Sequence, residues 1–202
     1  MTIVCTAPRR VKAPAPSPLL YSGPRDSPSD DFYTNGYTTY PDDPTLRLLF
    51  PAIFHRDSDS VDAKVAISRE GRAYQWLSDD PLIRNGPAGD WDHGGIYPSP
   101  QLVRLPDGRL ALPYRGYGTT HNEFWFSVFY KQYQRPAHMG WAIWKDARLA
   151  GIESEHRGEF TTQTAPVTGA KLQINARTSR SGSVEVELRQ KGKAIEGYSF
   201  AD

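Results

Sequence analysis

The chain has 202 residues, 17 of them Gly and 17 Pro, with 12 % aromatic side chains and a formal net charge of +1. A charge so near zero gives no footing for nucleic acid or for an anionic membrane surface. Its one cysteine, Cys5, excludes an intrachain disulfide and a cysteine zinc site.

The length allows one or two domains with a real core. Abundant turn residues, many aromatics and few Ala- or Leu-rich helical runs predict an all-β chain. No apolar run approaches the roughly 20 residues of a membrane span, so no membrane association is expected. The N-terminus carries basic residues but no apolar stretch, so an ordinary signal peptide is not expected. On this reading the chain stays in the cytoplasm if Met1 is its natural start; otherwise its location is open.

Residues 1–30 read as a disordered, proline-rich tail. Pro8, Pro14, Pro16, Pro18, Pro24 and Pro28 cannot sit inside helices or central strands. Order is expected to begin near Asp31, where Tyr33, Tyr37, Tyr40 and neighbouring threonines favour a strand. A turn at Pro41 to Pro44 leads to a buried strand from Leu46 to Phe50, extended by Ala52 to Phe54. Residues 62–68 alternate polar and apolar, as a half-buried strand does. Glu70-Gly71 closes a hairpin onto Tyr74 to Leu77. This predicts a meander of four consecutive antiparallel strands, the size of one propeller blade.

The second unit is predicted from Asp90-Trp91-Asp92-His93-Gly94-Gly95-Ile96-Tyr97-Pro98, a polar turn entering a strand over 96–105. Pro106-Asp107-Gly108 turns the chain into a strand over 109–117. An aromatic insertion, 118–138, packs either as a short helix or as a covering loop. A last strand is expected over 139–146. From 153 the character changes: 159–164, 171–176, 183–188 and 194–198 alternate, which predicts antiparallel strands with one wet face and a hairpin turn at 190–193.

These segments resemble a known family. Ser68-Arg69-Glu70-Gly71, followed by Trp76, resembles the Ser-x-Asp-Gly-x-x-Trp hairpin of propeller glycosidases and, more loosely, the sialidase Asp-box. Asp31-Phe32-Tyr33-Thr34-Asn35-Gly36 and Trp91 to Pro98 resemble inner-strand motifs of five-bladed β-propeller glycoside hydrolase-like proteins related to the β-fructosidases and arabinanases. Gly192 to Ser199 is similar to a segment of the β-sandwich that follows that propeller. The likeness covers about residues 30–202. It implies about two propeller blades over 31–152, a partial C-terminal β-sandwich over 153–202, and a C-terminal fragment whose missing blades are partners. The chain departs from the family by having no match to its first-blade nucleophile or its Arg-Asp-Pro element, so no catalytic residue is carried over.

Within this frame a glycoside hydrolase-like fragment contributes part of a carbohydrate-binding cavity; a non-catalytic carbohydrate-binding or scaffolding module is the alternative. Glycoside hydrolysis needs two carboxyl groups about 5–10 Å apart. Asp31 and Asp92 each begin an inner strand, and either bind sugar hydroxyls or cap their own turns. Tyr33, Trp91 and Tyr97 are candidates for a stacking platform or for core packing, with Trp91 also readable as the plug of a structural corner. His93 either bonds substrate or steadies the turn, and Asn35 belongs to the same strand-mouth motif as Asp31. Arg115 lies within a strand pattern and requires a partner, a substrate carboxylate or a nearby Asp. No cofactor or metal is expected: the five histidines are scattered, and no Gly-x-Ser-x-Gly elbow or phosphate loop occurs.

Overall fold

The computed structural model describes residues 17–23, 26–123, 137–145, 148–166, 169 and 171–201. The chain is all-β, built from separate sheets, none closed into a barrel. It divides into two compact units, Met1–Glu153 and Ser154–Asp202.

The four-stranded meander of the first unit forms, but its first three strands are each bent in the middle and shared between two sheets. Strand β1 (Asp30–Phe32) continues into β2 (Thr38–Tyr40), β3 (Asp43–Leu49) into β4 (Ala52–His55), and β5 (Ser60–Ala63) into β6 (Ala66–Ser68). The smaller sheet runs β2-β3-β6-β7, with β7 at Gln75–Trp76, while β1, β4 and β5 pair with one another elsewhere. The bends have local causes. Pro51 has no N–H to give to a ladder. Gly36 takes a φ of +50°, and a Cβ there would stand 2.5 Å from the Phe50 carbonyl oxygen. The first bend therefore packs backbone-to-backbone on the second, which only glycine permits.

In the second half, β8 (Gly95–Pro98) and β9 (Val103–Arg104) both pair antiparallel with β10 (Leu110–Tyr117). The single strand expected over 96–105 is thus interrupted between them, beside Pro98 and Pro100. On the far side β10 pairs with β11 (His138–Trp144) over seven residues, Leu110↔Trp144 to Gly116↔His138. Gly108, at φ +85°, makes the turn before β10. A parallel contact, Val61↔Gly95, joins the halves. One sheet in the order β1-β4-β5-β8-β10-β11 therefore crosses the segments that read as two blades. The bends produce this: they free β1, β4 and β5 from the smaller sheet and leave β5 an edge to offer β8.

Both halves feed one core. Leu48, Phe50, Val65, Ile96, Leu110 and Leu112 are buried in a single cluster. Each such side chain contributes about 1.5–3 kcal/mol relative to full exposure, so the cluster fixes the sheet that carries the site.

The tail expectation changes where the structure describes it; residues 1–16 lie outside the described residues. Tyr74 N–H donates to Leu19 O at 2.8 Å, and Trp76 Nε1–H donates to Tyr21 O at 3.0 Å. Leu20 packs on Leu49, Ala66 and Tyr74. Lys64 Nζ pairs with Asp26, both side chains at least nine-tenths buried. Prolines deny this segment a central strand, but not docking along an edge.

In the second unit the expected turn forms as a two-residue hairpin between β12 (Arg189–Gln190) and β13 (Lys193–Ala194). Lys191 and Gly192 take φ of +50° and +81°, the left-handed pair that matches strand twist. Residues 159–164 and 171–176 form no paired strand among the described residues. Leu172, Ile174, Val184 and Val186 are exposed. Alternation specifies a strand only where a surface covers its apolar face, and these positions are uncovered.

Candidate functional site

The site is a cleft on one face of β8, β10 and β11. Tyr97 lies opposite Arg115, and Arg115 opposite Met139, while Gly95 lies opposite Tyr117. Residues directly opposite share a face, so Tyr97, Arg115, Met139 and Tyr117 project to the same side. Tyr33, from the bend after β1, and His121, first of the three helical residues 121–123, close two further walls; the rest of the expected insertion, 124–136, lies outside the described residues. The cleft is open to solvent, with a volume of about 390 Å³.

The walls are tied ring to ring. Tyr33 meets Tyr97 edge-on with centroids 6.2 Å apart, and meets His121 at 5.0 Å. Tyr97 stands perpendicular to Tyr117 at 5.5 Å, and Phe54 lies 4.6 Å from His121. The Tyr97 hydroxyl is 2.7 Å from His121 Nδ1. Burial, reinforced by the neighbouring Tyr33 and Tyr117, raises the Tyr97 phenol far above its ordinary value, so it stays protonated. A Tyr97 O–H that donates to Nδ1 leaves the imidazole N–H on Nε2.

The loop bearing His121 is clamped from below. Asp59 sits in the left-handed region at φ 56°, which Asp tolerates better than most residues. Its carbonyl accepts from His121 N–H at 2.9 Å, and its carboxylate accepts from Asn122 N–H at 3.0 Å and Nδ2 at 2.6 Å. Gly94 supplies the other half of the clamp, since a Cβ there would stand 2.0 Å from Thr119 O.

Trp91 and Asp92 serve the opposite face of β10. The Trp91 indole stacks on Tyr114 at 5.4 Å and lies over Gly116 and Gly140, where added Cβ atoms would stand 2.3 and 2.4 Å from its ring. Two glycines on paired strands make its seat. Asp92 Oδ2 accepts from the Tyr114 hydroxyl at 2.7 Å, and Asn85 Nδ2 donates to the backbone oxygens of Val61 and Asp92 at 3.0 and 3.4 Å. Burial, and then the Asp92 carboxylate, push the Tyr114 phenol well up.

Of the candidates read from sequence, Tyr33, Tyr97 and Arg115 therefore come together in the cleft. Trp91 and Asp92 form the separate cluster on Tyr114. Asp31 pairs with Arg56 at 3.2 Å and does not line the cleft. Asn35 lines a second groove, of about 490 Å³, with Leu19, Leu20, Phe32, Tyr37 and Tyr74. His93 Nδ1 is buried with no hydrogen-bond partner among the described residues. That groove is the larger and also carries Thr34, Arg47 and Glu70. The cleft joins tyrosines to a guanidinium, hydroxyls and an imidazole.

Away from both lies a polar cluster that the sequence did not suggest. His55 Nδ1 is 2.7 Å from Asp30, and its Nε2 is 3.1 Å from Asp62. Burial works against the charged imidazole, yet the two carboxylates outweigh it and raise the His55 pKa. Burial also raises Asp62, against the pull of His55. With both ring nitrogens bonded to carboxylates, His55 has no lone pair left for a metal. No group of three or more metal-ligating side chains is found among the described residues.

No family model, curated protein or solved structure matches this chain. The site therefore stands on its own geometry. Reading from sequence missed Tyr117 and Met139. Arg115-Gly116-Tyr117 on one strand carried a signal, since residues two apart share a face. The Asp59–Asn122 clamp spans 63 residues and left none.

Proposed function

We propose that the chain binds carbohydrate in the cleft of Tyr33, Tyr97, Tyr117, Arg115 and His121, as part of a β-propeller related to glycoside hydrolases. The observation that supports the reading is the wall chemistry. Three tyrosines line it with apolar ring surface for sugar C–H groups, while Thr120, His121 and Arg115 carry hydrogen-bonding groups beside them. A volume of about 390 Å³ sits at the small end of ligand cavities, which span roughly 300–1,000 Å³. It suits one or two sugar rings. The antiparallel meander over β1–β7 is the feature that supports a blade; the continuous larger sheet is then a seam between neighbouring blades. A partial β-sandwich over 153–202 belongs to the same proposal, with the β12–β13 hairpin in its support.

Binding fits the cleft better than hydrolysis. No Asp or Glu is among its described lining residues, and glycoside hydrolysis requires two carboxyl groups across the sugar. A sugar of about a dozen non-hydrogen atoms at about 0.3 kcal/mol each gives a Kd of order 1 mM. Calorimetry with millimolar methyl glycosides and short oligosaccharides tests the reading. Measurable heats that vanish in Tyr97→Ala support it; no binding by any sugar at 20-fold excess over about 1 mM removes it.

A further inference from the structure

We infer that the cleft selects sugars bearing a carboxylate, with Arg115 receiving that group; this rests on the carbohydrate reading above. Arg115 is the one charged side chain among the described residues that line the cavity. Its cross-strand neighbours on that face are Tyr97 and Met139, and neither can neutralise it. Its one hydrogen bond among the described residues is a long 3.5 Å contact to the Tyr117 hydroxyl. The acids nearest the cleft are already engaged elsewhere. Asp59 holds Asn122, and Glu123 accepts from Thr120 N–H at 3.4 Å.

Arg56, Arg69, Arg84, Arg104 and Arg109 each pair with an aspartate within 4 Å. Arg47, Arg72, Arg148 and Arg115 have no such partner among the described residues, and of these four Arg115 lines the cleft. A guanidinium presents paired donors whose geometry matches a carboxylate, and the match adds orientation as well as attraction. The tyrosines would then hold the ring of a uronic acid while Arg115 takes its acid group. The contact is exposed, so added salt weakens it.

The test compares sugars that differ only at this group. Methyl glucuronide is titrated against methyl glucoside, and methyl galacturonide against methyl galactoside, by calorimetry at low salt. At least tenfold tighter binding of one uronide than of its neutral partner is expected. In Arg115→Gln that ratio falls to about one, and in Arg115→Lys it falls only part of the way, because the charge remains and the fork does not. Equal affinities for acid and neutral sugars in the unaltered protein overturn the inference and leave the carbohydrate reading standing. A ratio that survives in Arg115→Gln also overturns it. Failure of all four sugars to bind removes both.

Discussion

Tyr114 and Arg115 are consecutive residues of β10 that serve opposite faces of the sheet. Tyr114 lies under the Trp91 indole and donates to Asp92 at 2.7 Å. Arg115 stands in a row with Tyr97 and Met139 and lines the cleft. The two faces separate a packing role from the proposed binding role within one motif, Trp91 to Tyr97.

The first prediction follows from that division. Gly116→Ala drives a methyl group into the Trp91 ring, at 2.3 Å from its nearest atom. Such overpacking costs about 1–3 kcal/mol. A urea unfolding midpoint lowered accordingly is expected, whereas an unchanged midpoint would show that Trp91 does not hold this seat. Trp91→Gly in the same background gives the methyl room and recovers part of the midpoint lost to overpacking.

The loop clamp gives the second. Asp59→Ala removes the carboxylate that accepts twice from Asn122 and places an unsuited residue at φ 56°. We expect weaker sugar binding, by about three- to tenfold, as His121 loses its fixed place. Asp59→Asn keeps an acceptor and tolerates the backbone, so it retains most of the affinity. Equal losses in the two variants would contradict a positioning role.

The third concerns pH. Burial raises Asp62, and the two carboxylates raise His55 above its ordinary pKa near 6.5 despite burial. A group whose pKa is raised by folding binds its proton more tightly in the folded state. Its stabilising effect is complete below the unfolded value and is lost as pH rises through the folded value. For His55 the loss therefore begins above about pH 6.5; for Asp62 it begins above about pH 3.9, the ordinary aspartate value. Urea midpoints at pH 6 and pH 8.5 should show lower stability at the higher pH, with a smaller difference in His55→Gln. The same difference in both proteins would clear His55 of the effect.

The docked tail carries the fourth. Asp26→Ala leaves Lys64 charged, buried and without its carboxylate partner beside the Trp76 ring, 5.3 Å away. Breaking one side of a buried pair costs about 3–5 kcal/mol. Amide exchange at Tyr74, whose N–H bonds Leu19 O, should quicken as residues 17–23 detach. Unchanged protection at Tyr74 would mean the tail docks without Asp26.

Sequence patterning reached the strands of the first unit, because their periodicity and turn residues are local. It placed Tyr33 and Tyr97 among the candidates as aromatics of two strand-mouth motifs, and Arg115 as a charge within a strand pattern that requires a partner. What it could not reach is contact between distant bends. Gly36 against Phe50 and Gly94 against Thr119 are backbone approaches, and the Trp91 ring upon Gly140 is a side-chain seat, that no local pattern announces. Those approaches bend the strands, move Asp92 to the far face and leave Asp31 with Arg56. Of the four alternating strands expected beyond residue 153, only the segment at the 190–193 hairpin pairs among the described residues. Alternation needs a surface to bury against, and Leu172, Ile174, Val184 and Val186 remain exposed.

The central claim is that sugar occupies the face of β10 that bears Arg115. A protein-observed NMR titration with methyl glucuronide locates it most directly. The account predicts shifts concentrated at Tyr33, Tyr97, Arg115, Tyr117, Thr119 and His121, with Trp91 and Asp92 little affected. Shifts centred on Trp91 and Asp92, or none at millimolar sugar, would contradict it.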